Sequence, residues 1–256
     1  MGGAERVALV TGAARGLGRA TARAFLAAGL RVAVNDRDRA SVGHAVAELG
    51  GPPAVTGAPG DIASVAGCRA AVGAAVAAFG RLDVVVNNAA INEERPVEDW
   101  DEALWDGHMD VILKGAYFCT QAALPSLRAV NGCVVNVASE LGLLGVRHNA
   151  GYCAAKGGVV NLTRALAVEL APGVRVNCVC PGAIDTELMR ACAAASGDVE
   201  AYYRFYAGYA PLGRIAQPDE IAAAIVYLAS PAAAFVTGAV FAADGGSTAG
   251  RRTVAP

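Results

Sequence analysis

Ser139, Tyr152 and Lys156 belong to one short stretch, SELGLLGVRHNAGYCAAK, and their side chains together could move a proton. Tyr152 and Lys156 stand four positions apart, so on a helix they share a face. A free phenol loses its proton at about pH 10. A lysine ammonium one helical turn away favours the phenolate and lowers that value. A tyrosine tuned in this way exchanges a proton with an alcohol or carbonyl oxygen near neutral pH. Ser139 ends the strand-like run VVNVAS, and its hydroxyl is expected to hold the same oxygen.

Tyr-x-x-x-Lys is a loose pattern, which an exposed helix with an ordinary i,i+4 pair also satisfies. Lysine usage favours the chemical reading. The chain has 19 arginines but only two lysines, Lys114 and Lys156. A compact, mobile ammonium differs chemically from a planar guanidinium.

These side chains need a scaffold to bring them together. Arg6 to Val10 contains the apolar run VALV, which reads as a buried parallel strand. Next come Thr11-Gly12-Ala13-Ala14-Arg15-Gly16-Leu17-Gly18 and a helical stretch, RATARAFLAAGL. Glycines let such a turn approach a diphosphate, and the helix N-terminus offers free N–H groups and a positive dipole end. The spacing is G-x-x-x-G-x-G rather than G-x-G-x-x-G. A tight turn whose glycines serve packing alone would show the same residues.

A second strand, Arg31 to Asn35, leads to Asp36. An acid about 20 residues past the glycine turn suits the adenosine ribose diol. Its carboxylate would repel a 2′-phosphate, which favours NAD over NADP. Arg15 and Arg37 argue the other way, since either could pair with that phosphate. A helix N-cap is the plainer account of Asp36.

A short strand near Ala54 to Thr56 runs through Gly60-Asp61-Ile62 into a helix, Ala63 to Phe79. Asp61 could cap that helix, reach an adenine amino group, or do both. Leu82 to Val86 is the fourth strand and ends in Asn87-Asn88-Ala89-Ala90, where small residues leave room for a flat ligand. A long helical run covers about Leu104 to Arg128, and a fifth strand, Gly132 to Ala138, delivers Ser139. A sixth, Val174 to Val179, precedes Pro181-Gly182-Ala183-Ile184-Asp185-Thr186. Helix Pro218 to Ala229 and strand Ala239 to Ala243 close the chain, before Asp244-Gly245-Gly246. This alternation predicts an α/β fold, a doubly wound parallel sheet in a single domain spanning 1–256. Ligands bind such sheets at the carboxyl ends of the strands. Gly12, Asp36, Asn88, Ser139 and Pro181 should therefore converge on one edge.

Composition narrows the function classes. A hydrophobic content of 55% against 17% charged residues supports a large core. A net charge of -2 gives no reason to expect nucleic acid or an anionic membrane as partner. The N-terminus lacks the form of a signal peptide, and Arg6 stands where a myristoylation signal at Gly2 needs Ser or Thr. Ile221 to Ala243 carries no charge over 23 residues, but Ser230-Pro231 and Thr237-Gly238 break it into a buried helix and a buried strand. Seven cysteines without a Cys-x-x-Cys pair and three scattered histidines give no metal site. The thiols read as small buried fillers in a reducing, cytoplasmic setting.

The motifs, taken together, resemble the short-chain dehydrogenases/reductases over nearly the whole chain. TGAARGLG resembles that family's cofactor loop, and Asp61-Ile62 its adenine contact. Ser139, Tyr152 and Lys156 fall at its catalytic spacing. Pro181-Gly182-x-Ile184-x-Thr186 resembles its nicotinamide contact and Asp244-Gly245-Gly246 its closing motif. The resemblance implies a seven-stranded Rossmann-type sheet and hydride transfer between NAD and an alcohol or ketone. Tyr152 would be the acid/base. Lys156 would lower its pKa and bind the nicotinamide ribose, and Ser139 would hold the substrate oxygen. Family members doing non-redox chemistry, or binding the cofactor with little turnover, are the alternatives.

Two positions depart from the pattern. Ala90 stands where the family usually has glycine, and its methyl is expected to crowd the turn. Ile112, seven after Trp105, stands where the family usually has the asparagine that helps hold a water leading to the lysine. Isoleucine cannot make that hydrogen bond. The segment at about 186–212 is expected to form a lid. It carries Tyr202, Tyr203, Phe205, Tyr206 and Tyr209, a wall suited to a cyclic or aromatic substrate. Gly197, Gly208 and Gly213 are its candidate hinges. Apolar helices around Leu104–Arg128 and Gly151–Leu170 predict a homo-oligomer, a tetramer or a dimer.

Overall fold

The computed structural model describes residues 5–250. Gly2 lies outside them. Seven strands form one parallel sheet in the order β3-β2-β1-β4-β5-β6-β7. They are β1 (Val7–Val10), β2 (Arg31–Val34), β3 (Val55–Gly57), β4 (Val84–Asn87), β5 (Cys133–Val137), β6 (Arg175–Pro181) and β7 (Val240–Ala243). The order reverses between β1 and β4, the switch point at which such sheets open a crevice.

Strand residues alternate between two cores, as a two-residue period requires. Ala8, Val10, Val32, Val34, Val84 and Val86 pack with Leu17, Phe25, Ala45, Ile221 and Leu228. The latter come from α1 (Gly16–Ala27), α2 (Arg39–Glu48) and α9 (Pro218–Ala229). Val7, Leu9, Ala33, Val85 and Val134 face the other way, against Val72, Leu127, Leu166 and Leu170. Those belong to α3 (Val65–Phe79), α5 (Gly115–Ala129) and α6 (Ala150–Leu170). Helices thus cover both faces, which is why the strands read as continuous apolar runs. Each fully buried residue of this kind contributes about 1.5–3 kcal/mol.

The long helical run is not one regular helix. It divides into α4 (Glu102–His108), a π-helical turn at Met109–Lys114, and α5. Such turns collect at functional sites. α3 starts two residues later than expected because Ser64, accepting from the Gly67 N–H at 3.0 Å, is its N-cap. Segment 186–212 forms two further helices, α7 (Glu187–Ala195) and α8 (Val199–Ala207). Ile221–Ala243 does divide into most of α9, a 3-10 turn and β7, but β7 is not a buried strand: it is the sheet edge, with Phe241 and Ala242 exposed. No helix among the described residues is long and apolar enough to cross a membrane. Five cysteines are buried as expected, but Cys153 is half-buried and Cys192 exposed.

Candidate active site

The carboxyl ends of the strands border a cleft of about 360 Å³. Every residue expected to bind a dinucleotide lines it. Gly12, Arg15, Gly16, Leu17 and Gly18 come from the first turn, and Asp36 and Arg37 follow β2. Asp61 and Ile62 follow β3, and Asn88, Ala89 and Ala90 follow β4. Pro181, Gly182, Ile184 and Thr186 follow β6. Ser139, Tyr152 and Lys156 line the same cleft. So do Asn35, Gly60, Val111 and Glu187, which sequence motifs did not single out. Asn35 was legible only as a strand end, yet its amide donates to the Ala58 and Gly60 carbonyls at 2.8 and 3.0 Å and holds the loop carrying Asp61.

The glycine turn is shaped by packing and by backbone angle. A Cβ on Gly18 would stand 2.3 Å from the Gly12 carbonyl oxygen, and one on Gly12 2.9 Å from Ala89 Cα. Gly16 has φ +56, with the Thr186 methyl 3.6 Å from where its Cβ would be. The turn is locked onto β4 by Asn88, whose side-chain amide donates to the Thr11 carbonyl at 2.8 Å. Thr11 Oγ1 accepts from the N–H groups of Asn88 and Ala89 at 3.0 and 3.1 Å. At the start of α1 no N-cap side chain bonds the backbone. Instead the Glu187 carboxylate accepts from the Gly16 N–H at 3.0 Å and pairs with Arg19. A carboxylate here stands in for an anionic ligand, so the turn fits a diphosphate.

Asp36 is half-buried and accepts from the Arg37 N–H at 2.8 Å. It is not a helix cap, since Asp38 caps α2 by accepting from Ala40 and Ser41. Arg15 and Arg37 are both exposed. Asp61 accepts from the Ala63 N–H at 3.0 Å and orders the turn before α3, while Ser64 does the capping. Ala90 is exposed, and its backbone φ is not positive, so its methyl crowds nothing.

Ser139 and Lys156 are buried beside a half-buried Tyr152. Ser139 Oγ accepts from the Leu141 N–H at 3.1 Å and stands close enough to the Tyr152 phenol to lower its pKa. Lys156 Nζ donates to the Val137 carbonyl at 2.6 Å and lies 5.6 Å from the centroid of the Tyr152 ring. The expected acidification of Tyr152 is not met. Burial pushes its pKa up to about 12, although the Ser139 hydrogen bond pulls it down. Burial also pushes Lys156 down to about 8. Both groups are penalised for carrying charge in the same apolar surroundings.

Ile112 is 3% exposed and joins Ala138, Ala155, Val159 and Cys178 in the apolar cluster against which Tyr152 packs. It sits in the π-helical turn. The lysine hydrogen bond that a polar side chain could have served is made directly to the Val137 carbonyl.

A smaller cavity of about 170 Å³ adjoins the cleft at Gly182. Its wall includes Glu140, Tyr206, Tyr209, Arg214 and Asp244. Tyr202, Phe205, Tyr206 and Tyr209 do form one aromatic cluster, with ring centroids 4.8–6.1 Å apart. It is not core, because Phe205 is 60% and Tyr209 46% exposed. Tyr203 points elsewhere and donates to Asp185 at 2.6 Å. Of the candidate hinges, Gly197 and Gly213 have positive φ, whereas Gly208 is the right-handed C-cap of α8.

The fold and this cleft define a nucleotide-dependent oxidoreductase of the doubly wound class. Comparison with known proteins agrees. Residues 12–248 match the family model described as enoyl-(acyl carrier protein) reductase. The chain is 42% identical over 251 residues to cis-4-hydroxycyclohexanecarboxylate dehydrogenase of Sinomonas cyclohexanicum, covering 96% of this chain and 98% of that one. It is 40% identical over 247 residues to D-threitol dehydrogenase of Mycolicibacterium smegmatis, covering 95% and 93%. The crystal structure of a short-chain dehydrogenase/reductase, a glucose/ribitol dehydrogenase from Brucella melitensis, superposes with TM-score 0.88 at 35% identity, covering 94% and 96%. The chain belongs to the short-chain dehydrogenase/reductase family. It is an oxidoreductase acting on CH–OH groups, from a family whose dehydrogenases use nicotinamide cofactors.

Proposed function

We propose that the protein interconverts a secondary alcohol and a ketone on a small cyclic molecule, using NAD. The observation that carries this reading is the convergence of the glycine turn, Asp36, Asp61, Asn88 and Thr186 with Ser139, Tyr152 and Lys156 on one cleft. The bound nicotinamide supplies or accepts the hydride. Tyr152 gives a proton to the carbonyl oxygen in reduction and takes it from the hydroxyl in oxidation. Its raised pKa keeps the phenol protonated at neutral pH, the form that reduction needs. Ser139 holds the substrate oxygen beside that phenol. With a pKa of about 8, Lys156 is about nine-tenths ammonium at pH 7 and offsets the phenolate that reduction leaves and from which oxidation starts. Gly12, Arg15, Gly16, Leu17 and Gly18 receive the diphosphate, and Asp36 takes the adenosine ribose diol with Arg37 beside it. Asp61 and Ile62 border the adenine. Asn88, Ala89, Ala90, Pro181, Gly182, Ile184 and Thr186 frame the nicotinamide end.

In this reading residues 1–256 are one domain with a lid at about 186–212. Half-buried Tyr206 and exposed Tyr209 on one cavity wall support a cyclic or aromatic substrate. The relative that acts on a hydroxycyclohexane ring supports it too. Exposed Trp105, Tyr117 and Val168 on α4, α5 and α6 support a homo-oligomer, a tetramer or dimer. Seven free thiols support a cytoplasmic enzyme.

The test is absorbance in the NADH band with a panel of secondary alcohols and ketones, run with both cofactors. Turnover of cyclic alcohols with NAD is the expected result. Binding of NAD by calorimetry without turnover of any member would overturn the reading. Light scattering at micromolar concentration should give a multiple of the 25.7 kDa chain mass.

A further inference from the structure

The indole of Trp100 lies on Gly151, the residue before Tyr152, in the first turn of α6. A Cβ on Gly151 would stand 2.2 Å from the ring carbon Cζ3 and 2.4 Å from Cη2, so only glycine leaves room for the indole. Two contacts hold the ring in place. Its Nε1–H donates to the Arg95 carbonyl at 3.1 Å. It also packs on the His108 imidazole, with centroids 4.9 Å apart and planes tilted by 55°. His108 is itself fixed, since it is 0% exposed and its Nδ1 donates to the Leu104 carbonyl at 2.8 Å. Three elements therefore meet at this ring. The segment 91–101 supplies Trp100, places Ile91 in the cleft, and bonds the His148 carbonyl through the Arg95 N–H at 2.8 Å. His108 ends α4 and leads into the π-helical turn, whose Ile112 belongs to the apolar cluster against which Tyr152 packs. The start of α6 is the third.

A general acid/base works only within hydrogen-bond reach of the proton it moves, so the place of Tyr152 matters. The first turn of a helix has backbone N–H groups without intrahelical partners, and here the N-cap Asn149 makes no side-chain bond to them. The start of α6 is thus held chiefly by what packs on it. We propose that Trp100 is a positioning residue: wedged against Gly151, it sets where the first turn of α6, and with it Tyr152, stands relative to Ser139. The inference rests on the reading of Tyr152 as the acid/base. Trp100 lines neither the cleft nor the adjoining cavity, and it acts through the backbone of Gly151. The two positions are complementary, the largest side chain meeting a residue with none. Ordinary contact needs 3.4 Å or more, so a methyl at position 151 would drive helix and indole apart by about 1 Å. A misplacement of that size costs about 100-fold in rate.

The experiment measures kcat with the best cyclic alcohol of the panel, and NAD affinity by calorimetry. The proteins are the wild type, Gly151→Ala, Trp100→Leu, Trp100→Phe and the double variant Trp100→Leu/Gly151→Ala. Gly151→Ala should lower kcat about 100-fold while NAD affinity stays within about twofold. Trp100→Leu removes the ring and should lower kcat about tenfold, whereas Trp100→Phe keeps a ring on His108 and should stay within about threefold of the wild type. In the double variant the smaller side chain gives the methyl room, so kcat should recover about tenfold over Gly151→Ala. A general loss of structure would instead lower NAD affinity as well, and the two substitutions would add. Near-wild-type kcat in Gly151→Ala, a double variant no faster than Gly151→Ala, or NAD affinity that falls in step with kcat overturns the proposal. If Gly151→Ala does not fold, the other variants decide: Trp100→Leu slower than Trp100→Phe by at least about threefold supports the wedge, and a smaller gap overturns it. Should the wild type turn over no alcohol, or Tyr152→Phe keep its turnover, the acid/base reading of Tyr152 falls. Hydrogen exchange at the Cys153 amide, which donates to the Asn149 carbonyl at 2.8 Å, then tests the wedge by itself. Faster exchange in Trp100→Leu but not in Trp100→Phe supports it, and any other pattern overturns it.

Discussion

Replacing Lys156 with methionine should remove activity and yet make the fold no less stable. Lys156 is 2% exposed, and its pKa falls from 10.5 to about 8 on folding. At about 1.36 kcal/mol per pH unit, holding the ammonium in place costs about 3 kcal/mol at neutral pH. Methionine fills much the same volume without that cost. It also deprives the Val137 carbonyl of its 2.6 Å hydrogen bond, which costs about 1–3 kcal/mol. The net change is therefore about 0–2 kcal/mol of stabilisation, a rise in Tm of up to about 8 °C. The pH dependence isolates the cause. Between pH 8 and 10.5 the unfolded lysine binds a proton that the folded one has lost. Wild-type stability thus rises with pH across that window and closes the gap on the variant. Tyr152 acts in the opposite sense above pH 10. Its folded pKa of about 12 exceeds the ordinary value of 10, so its contribution falls between those two values. Urea melts of both proteins at pH 7 to 10 measure the difference before Tyr152 intervenes. A Lys156→Met protein destabilised by more than about 2 kcal/mol, with a gap to the wild type that ignores pH, would refute the argument that burial of the charge dominates at this position.

Tyr152→Phe should lower turnover by about 100- to 10,000-fold, the usual contribution of a general acid/base, while calorimetry shows cofactor affinity nearly unchanged; near-wild-type turnover would remove Tyr152 from its role. Asp36→Ala should narrow the preference for NAD over NADP, because exposed Arg15 and Arg37 then meet a 2′-phosphate without an opposing carboxylate. A wild type that uses NADP tenfold better would show that the arginines prevail. Glu187→Gln should tighten cofactor binding several-fold, since the carboxylate on the Gly16 N–H occupies the anion position of the turn and repels a diphosphate. Unchanged or weaker binding in titration calorimetry would make Glu187 a bystander.

What could be read from the sequence follows from the range of the interactions involved. β1 and β5 are buried on both faces, so their apolar runs were visible without knowledge of their neighbours. The cleft residues were legible because each follows a strand end, and a parallel sheet sends all those ends to one edge. The π-helical turn at Met109–Lys114 was not legible, because no glycine or proline interrupts MDVILK. Glu187 could not be placed on the Gly16 N–H, since 171 residues separate the two and only the sheet topology joins them. The pKa of Tyr152, expected to fall, rises for a related reason. Spacing says that Tyr152 and Lys156 share a helix face, but only tertiary packing says that this face is dry.

That dryness bears on how the site keeps its geometry. A row of buried amides and hydroxyls crosses the sheet beneath the cleft. Asn87 on β4 donates to Asn136 on β5 at 2.8 Å, and Asn136 donates to Thr163 on α6 at 2.9 Å. Thr163 lies seven residues, about two helical turns, beyond Lys156 on the same face. The row therefore ties β5, which carries Ser139 at its end, to the helix that carries Tyr152 and Lys156. Apolar contacts alone would tolerate sliding of α6 along the sheet, because one aliphatic contact replaces another at little cost. Hydrogen bonds between buried groups do not, since a small shift leaves each partner unmet. The chain thus uses a polar row to fix register and an apolar cluster around Ile112 to keep the lysine out of water. The apolar cluster raises the cost of charge at the site, and both features hold the three reacting side chains in one arrangement.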